Sequence, residues 1–439
     1  MRLPLSALAL VALAACAPPA QVSKSGPTAE TGVGFGSLSL TAAAPGPVGA
    51  SSIARDFMDL TFAMESGRQL EVFSRFEGPV TVAMAGDVPP TAARDLGQLL
   101  GRLRSEAGID IRPATGEARI VIEFASRAAL RRLAPQAACF VVPNVTSLDE
   151  FRRKRGSRAV DWAEVTRRDS AAIFIPADTS PQEIRDCLHE ELAQALGPLN
   201  DLYRLSDSVF NDDNFHSVLT GFDMQILRLT YAPQIASGMS RTEVAARLFG
   251  SAAGAGPGAP GDWTQAIETA LGGKGALATR QAAAERALTL AAQAGWQDSR
   301  TAFSHFAVGR LSAGSNPARA LAAFDAAAAI YARLPGGSLQ LAHVDMQRAA
   351  MALAGGLPEE AVSLVDRAIP VVRAHENLAL LATLMLIKAE ALERLGDAAG
   401  AAAVRLDSRP YASYGFGSDS MVKARMRDIA ALADRAGNG

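Results

Sequence analysis

The sequence predicts an α+β fold, in which a mixed-sheet domain precedes an all-α helical-repeat domain. Short β-rich runs alternate with amphipathic helical stretches between residues 80 and 196, whereas residues 263–439 are rich in Ala and keep a helical periodicity. A Gly/Pro-rich linker at residues 251–262 separates the two parts. With 439 residues and 49% hydrophobic content, the chain is long enough to bury two cores.

Residues 1–15 have the three-part form of a secretory signal. Arg2 gives the basic start, an apolar run follows, and small residues lead into Cys16. The run Leu13-Ala14-Ala15-Cys16 resembles the lipobox of bacterial lipoproteins, which implies cleavage before Cys16 and a lipid on that residue. Ala17 then implies the outer membrane, facing the periplasm. An ordinary cleaved signal that contains a Cys is the alternative.

Residues 16–50 are mostly Ala, Gly, Pro, Ser and Thr, so we predict a flexible tether there. The membrane is then a partner only through the lipid on Cys16. The 43 basic and 45 acidic residues nearly balance, and nothing in this charge suggests a nucleic-acid partner.

The mixed domain, residues 51–250, is predicted to alternate strands and helices. The first helix opens after Pro89-Pro90, and its leucines recur at helical spacing. A second helix begins with Ser180 as N-cap, Pro181 at its first position and Glu183 completing a capping box, and it ends at Gly197. Predicted strands cover residues 80–84, 119–124, 139–142 and 172–175.

The second helix carries the chemistry-bearing motif. His189-Glu190 suggests HExxH, but residue 193 is Ala, so that interpretation fails and His189 alone makes no zinc site. One residue further, Glu190-Glu191-x-x-Gln194-x-x-Gly197-x-x-Asn200 resembles the metzincin signature HExxHxxGxxH. The Gly and the general-base Glu191 are kept, while the metal-ligand positions hold Glu190, Gln194 and Asn200.

The resemblance extends over residues 70–235. Asp223 and Tyr231 have the spacing of the closing helix of matrixin-like metzincins, and Ser208 stands at the Met-turn position. The run Glu-Glu-Leu-Ala-Gln-Ala-Leu-Gly-Pro-Leu-Asn-Asp at residues 190–201, with the segment 219–231, also resembles a proteobacterial lipoprotein family of uncharacterised function, DUF2927.

The resemblance implies a degenerate protease fold without its metal. Zinc favours His and Cys, and the amide oxygens of Gln194 and Asn200 are weak ligands for it. Oxygens of Glu190, Glu191, Gln194 and Asn200 could instead meet a hard cation such as calcium, although neighbours on a helix point about 100° apart. We predict no metal and no cofactor, and a catalytic role for Glu191 only if the site is active.

Cys139 and Cys187 are predicted to form a disulfide. Lipid on Cys16 leaves these two of the three cysteines, in a compartment where disulfides persist. Two buried free thiols are the alternative.

The C-terminal domain, residues 263–439, carries a repeat. Gly314, Gly355 and Gly396 recur at intervals of 41 residues, each followed by an Ala-rich helix. The predicted helices are residues 317–334, 358–374 and 397–406. This pattern resembles tetratricopeptide-like repeats with a long spacer, and a plain helical bundle is the alternative.

These patterns together predict a cell-envelope lipoprotein that acts as a non-catalytic protein- or peptide-binding module. The expected partner is an envelope protein or peptide. A metal-dependent peptidase or hydrolase with atypical ligands is the competing hypothesis, and a purely structural envelope protein is a third.

Overall fold

The computed structural model describes residues 50–135, 137–211, 213, 215–250, 261–272 and 275–435. They belong to two compact units, an α/β unit within residues 43–260 and a helical unit that includes residues 261–439. Cys16, the signal and the predicted tether up to residue 49 lie outside the described residues. None of the described helices combines the length and apolar character needed to cross a bilayer.

A five-stranded mixed sheet forms the centre of the α/β unit, which confirms the predicted α+β class. The strand order is β2-β1-β3-β5-β4, and all neighbours run parallel except β4, which is antiparallel to β5. Strand β5 is buried along its whole length. The strands are β1 (Val80–Gly86), β2 (Ile111–Pro113), β3 (Ile120–Ala125), β4 (Phe140–Pro143) and β5 (Ala171–Pro176).

Among the described residues, seven α-helices belong to this unit. In α2, the predicted face of Leu96, Leu99, Leu100 and Leu103 is buried in the core that also contains α5 and the sheet. The helices are α1 (Ala50–Thr61), α2 (Ala92–Ala107), α3 (Arg127–Arg131), α4 (Leu148–Lys154), α5 (Pro181–Leu196), α6 (Gly221–Thr230) and α7 (Arg241–Phe249).

The capping box predicted at the start of α5 is half right. The Ser180 side chain accepts a hydrogen bond from the Glu183 amide at 3.2 Å, as an N-cap should. The Glu183 carboxylate contacts Arg127 at 2.5 Å and the Thr179 hydroxyl. In a complete capping box, the Glu183 carboxylate would accept a hydrogen bond from the Ser180 amide. Here it binds the Arg127 guanidinium instead.

The helical unit consists of antiparallel helices joined by short turns. Its helices are α8 (Gly261–Leu271), α9 (Leu277–Gln293), α10 (Ser299–Ser312), α11 (Pro317–Tyr331), α12 (Ser338–Ala354), α13 (Pro358–Ala374), α14 (Leu378–Arg394), α15 (Ala398–Phe416) and α16 (Asp419–Arg435). Gly314, Gly355 and Gly396 lie in the turns of three successive hairpins, α10–α11, α12–α13 and α14–α15. A side chain at Gly309 would meet the Phe324 ring at 2.7 Å, so these helices pack closely.

Three predicted boundaries in this unit are wrong. Helix α11 ends at Tyr331 rather than at residue 334, and α8 already begins at Gly261, inside the predicted linker. Helix α15 continues to Phe416 instead of ending at residue 406, because it accommodates Pro410 in its interior. Pro usually ends a helix because it lacks a backbone N–H donor, so local patterns do not predict this continuation.

A disulfide joins Cys139, next to β4, to Cys187 in α5, with the two Cα atoms 6.0 Å apart. The pairing agrees with the prediction. The bridge links the antiparallel edge of the sheet to the helix that carries the motif, across a sequence separation of 48 residues.

Reduction of this bridge is expected to destabilise the α/β unit by about 4 kcal/mol, because the oxidised unfolded chain has less conformational entropy to gain. Calorimetry of the full chain with and without reductant should show one transition that moves to lower temperature. The double variant Cys139→Ser/Cys187→Ser should unfold like the reduced protein and ignore reductant. Finding both thiols free by non-reducing mass mapping would contradict the bridge.

Candidate functional site

The carboxyl end of α5 is closed by the buried side chain of Arg168. Its guanidinium donates hydrogen bonds to the carbonyl oxygens of Gln194, Ala195 and Gly197, at 2.6, 2.7 and 2.5 Å. A helix leaves such carbonyls without partners inside the helix, and they carry partial negative charge. The Arg168 guanidinium also stacks on Trp162, 4.7 Å from the ring centroid, and burial lowers its pKa to about 10.

Gly197 is required where α5 ends. A Cβ atom built there would lie 2.6 Å from Cγ2 of Thr230, at the end of α6. The Tyr231 hydroxyl, one residue further, donates to the Leu196 carbonyl at 3.1 Å. Helix α6 therefore packs directly against the end of α5, and the glycine of the motif permits that contact.

A second buried arginine closes α6. Arg75 donates to the carbonyl oxygens of Thr230, Ala232 and Ile235 at 2.8, 3.0 and 2.7 Å, and its guanidinium lies 5.6 Å from the Tyr231 ring centroid. The backbone amide of Arg168 donates to the Arg75 carbonyl, so the two arginine-bearing segments are joined.

Asp223 and Ser208 fasten the loop between α5 and α6. The Ser208 hydroxyl donates to Asp223 at 2.5 Å, and the amides of Val209 and Thr220 donate to the same carboxyl group. Burial raises the pKa of Asp223 to about 6, although these hydrogen bonds oppose the shift. The residues that the sequence placed at the Met-turn position and in the closing helix therefore contact each other.

Glu191, at the general-base position, is buried and only 5% exposed. Its Oε2 atom is buried without a hydrogen-bond partner. Burial raises its pKa well above 4.5, and the carboxylates of Glu190 and Glu65 add to the shift. A pKa raised in this way favours the protonated, neutral form of the carboxyl group.

The remaining residues of the motif contact different segments of the chain. The Gln194 amide donates to Glu65 in the turn at residues 63–69, at 3.3 Å. Asn200 contacts a different segment, and its amide donates to the Asp59 carbonyl of α1 at 3.0 Å. Glu190 is half-buried on α5. Within the described ranges, no three His, Cys, Asp or Glu side chains are grouped so that they could hold a metal ion.

His189 is a buried residue that binds the segment preceding α6. Its Nδ1 accepts a hydrogen bond from the Leu219 amide at 3.1 Å, and the ring is buried. Burial lowers its pKa well below 6.5, and Arg185 and Arg102 act in the same direction. The ring is therefore neutral and holds the segment that precedes α6.

Several residues that shape the site were not predicted. Arg168 and Arg75 carry no local pattern, because neither belongs to a helical or strand repeat and their targets are 26 to 29 and 155 to 160 residues away. Helix α1 did have a signal, since Ile53, Phe57 and Leu60 follow helical spacing and are buried.

Replacing Arg168 with Met is expected to lower the protection of α5 amides against hydrogen exchange by the equivalent of about 3–5 kcal/mol, because buried carbonyls lose their donors. Hydrogen-exchange mass spectrometry of the full chain measures this locally. The neighbour Arg167 is 62% exposed, so Arg167→Met should change protection by less than about 0.5 kcal/mol. Equal effects of the two variants would contradict the capping role.

Glu191→Gln is expected to stabilise the α/β unit as the pH rises. The native state keeps the Glu191 proton above pH 4.5 while the unfolded chain releases it, so wild-type stability falls as the pH climbs from 4.5 towards the raised pKa. The gain in melting temperature should be near zero at about pH 4 and grow with pH. The exposed Glu117→Gln is the control, and a gain independent of pH would exclude a raised pKa as its cause.

Comparison with known families gives one match. Residues 50–249 match the model of a family described as protein of unknown function (DUF2927). No curated protein and no solved structure matches the chain. The match spans all five strands and α1 to α7, and it agrees with the resemblance seen at residues 190–201 and 219–231. Residues 50–249 of this chain are therefore similar to the DUF2927 family.

Proposed function

We propose that the protein is a cell-envelope lipoprotein that binds a protein or peptide without cleaving it, through an inactive zincin-like domain and helical repeats. The observation that carries this proposal is that residues at the zinc-ligand positions of the metzincin motif form hydrogen bonds within the protein. Gln194 and Asn200 donate hydrogen bonds to the Glu65 turn and to α1, so both side chains serve as internal ties.

The chemistry of Glu191 supports the absence of catalysis. Hydrolysis in zincins needs a metal that lowers the pKa of a bound water and a carboxylate that accepts its proton. The amides of Gln194 and Asn200 are weak zinc ligands, and burial raises the pKa of the Glu191 carboxyl group and so favours its neutral form. A motif with these residues lacks the ligands with which a zincin holds the metal that activates water.

The location in the envelope is proposed from the sequence. The signal-like residues 1–15 and the lipobox-like residues before Cys16 support export and a lipid anchor, with outer-membrane placement facing the periplasm. The Cys139–Cys187 disulfide is consistent with an oxidising compartment, where such bridges persist.

The helical unit supports binding to a macromolecule. Successive hairpins repeat with a period of 41 residues, as expected of tetratricopeptide-like arrays, and each packs against the next. Arrays of this kind offer an extended surface built from the same position of every repeat. The partner we propose is an envelope protein or a peptide segment of one.

The competing function is a peptidase with atypical metal ligands, which the retained Glu191 and Gly197 favour. Metal analysis of the purified soluble form, with a peptidase assay before and after chelation, separates the two. We expect neither stoichiometric metal nor cleavage that a chelator removes. Bound metal together with chelator-sensitive cleavage that Glu191→Gln abolishes would overturn the proposal.

Restoring the histidines tests whether the cleft is zincin-like. The combined change Glu190→His, Gln194→His and Asn200→His should create a zinc site, which titration calorimetry would detect as one-to-one binding absent from the wild type. The control carries three histidines at the exposed positions Glu117, Arg167 and Asp169. If the folded triple variant binds zinc no better than this control, the zincin-like geometry is wrong.

A further inference from the structure

Basic residues are concentrated in one short stretch of this chain. Residues 127–158 contain eight Lys and Arg side chains and only two carboxylates, although the whole chain has a net charge of −2. The rest of the chain is therefore acidic overall. Charge separated in this way attracts a partner of opposite sign to one side of a protein.

The fold collects this basic stretch on one face of the sheet. Ile173 and Ile175 of β5 belong to the core that contains α2 and α5. Phe174, between them, points to the other face and packs with Leu130 of α3 and Leu148 of α4. Helices α3 and α4 therefore form a layer on the face of the sheet opposite to α5.

Four exposed arginines of this layer have no carboxylate partner among the described residues. The two carboxylates of the stretch belong to α4 and pair with basic side chains of the same helix. Arg155 donates to the Leu133 carbonyl at 2.8 Å, and this bond joins the segments that follow α3 and α4. We define the α3–α4 surface by the side chains of Arg131, Arg132, Arg153 and Arg155.

We infer that the α3–α4 surface binds the phosphate groups of anionic lipids in the membrane that holds the lipid anchor. The inference rests on the proposed function, since it assumes export and a lipid on Cys16. It adds an orientation to that function. With α3 and α4 against the membrane, the face of the sheet that carries α5 and the candidate site is turned away from the lipid.

The chemistry of the α3–α4 surface matches lipid phosphate. A guanidinium is planar and always charged, and it donates paired hydrogen bonds to phosphate oxygens. Clusters of about four to eight basic residues are typical of protein segments that bind anionic lipid, and each residue strengthens binding by about fivefold. The four arginines without carboxylate partners lie within this range, and no internal ion pair has to be broken for them to bind phosphate.

The chain is long enough for this contact. Thirty-three residues separate Cys16 from Ala50, the first described residue, and they can span at most about 120 Å. A unit of this size is roughly 40 Å across, so a lipid on Cys16 allows the α3–α4 surface to reach the same membrane. The anchor also makes the contact intramolecular, and a weak attraction is then sufficient.

The test measures binding of the mature chain, residues 17–439, to lipid vesicles, so that neither the signal nor the lipid contributes. Vesicles of phosphatidylcholine alone are compared with vesicles of equal parts phosphatidylcholine and phosphatidylglycerol. At low salt we expect the protein to sediment with the anionic vesicles only, and added salt should release it. The triple variant Arg131→Gln, Arg132→Gln, Arg153→Gln should bind about 100-fold more weakly, at about fivefold for each charge.

The matched control removes the same number of charges elsewhere in the α/β unit. Arg112 is exposed on β2, at the edge of the sheet opposite to β4, and Arg167 and Arg247 are also exposed. The variant Arg112→Gln, Arg167→Gln, Arg247→Gln should still bind the anionic vesicles nearly as well as the wild type. An equal loss in both triple variants would overturn the inference, because net charge alone would then explain the attraction.

Two further outcomes would also overturn the inference. One is the absence of binding to anionic vesicles at low salt, which leaves the non-catalytic binding function standing. The other is tighter binding to soluble polyphosphate than to vesicles, lost in the first triple variant, which would indicate an anionic polymer as the partner. The proposed lipid anchor fails separately, if mass spectrometry of the exported protein finds Cys16 without lipid.

Discussion

The guanidinium of Arg168 closes the carboxyl end of α5, and the placement of the candidate-site side chains depends on that closure. Three carbonyl oxygens at the end of the helix receive their hydrogen bonds from this one side chain. With α5 ended in this way, the chain turns at Gly197, and the segment that follows pairs with α1 through the Leu199 amide and Asn200. A buried cation is costly, and here the helix carbonyls and the face of Trp162 offset that cost.

Arg75 caps the end of α6 in the same way, by donating hydrogen bonds to backbone carbonyl oxygens there. The two arginines, together with the contact of Gly197 with Thr230, hold α5 and α6 as one rigid pair. The hydrogen bonds of Asp223 fix the loop between them. The residues that shape the site are thus firmly bound to one another, whereas Gln194 and Asn200 are hydrogen-bonded to neighbouring segments.

Much of this fold could be predicted from local patterns. Ser180, Pro181 and Gly197 marked both ends of α5, and β-rich runs located four of the five strands to within two residues. Strand β2 was missed because its three residues include the exposed Arg112 and Pro113, which give no alternating pattern. At the site, spacing identified Glu191, Gln194 and Asn200, but their partners Glu65 and Asp59 are far away in sequence. A single sequence does not reveal which distant turn or carbonyl a polar side chain will meet.

The protonation state of Glu191 is the most direct test of this account. Carbon-13 NMR of the full chain labelled at the glutamate carboxyl carbons, with the Glu191 signal assigned by its loss in Glu191→Gln, would follow that one group through a pH titration. The account predicts a midpoint well above 4.5, because burial and the carboxylates of Glu190 and Glu65 disfavour the charged form. A midpoint at or below 4.5 would contradict it, since Glu191 would then be ionised at neutral pH and available as a base.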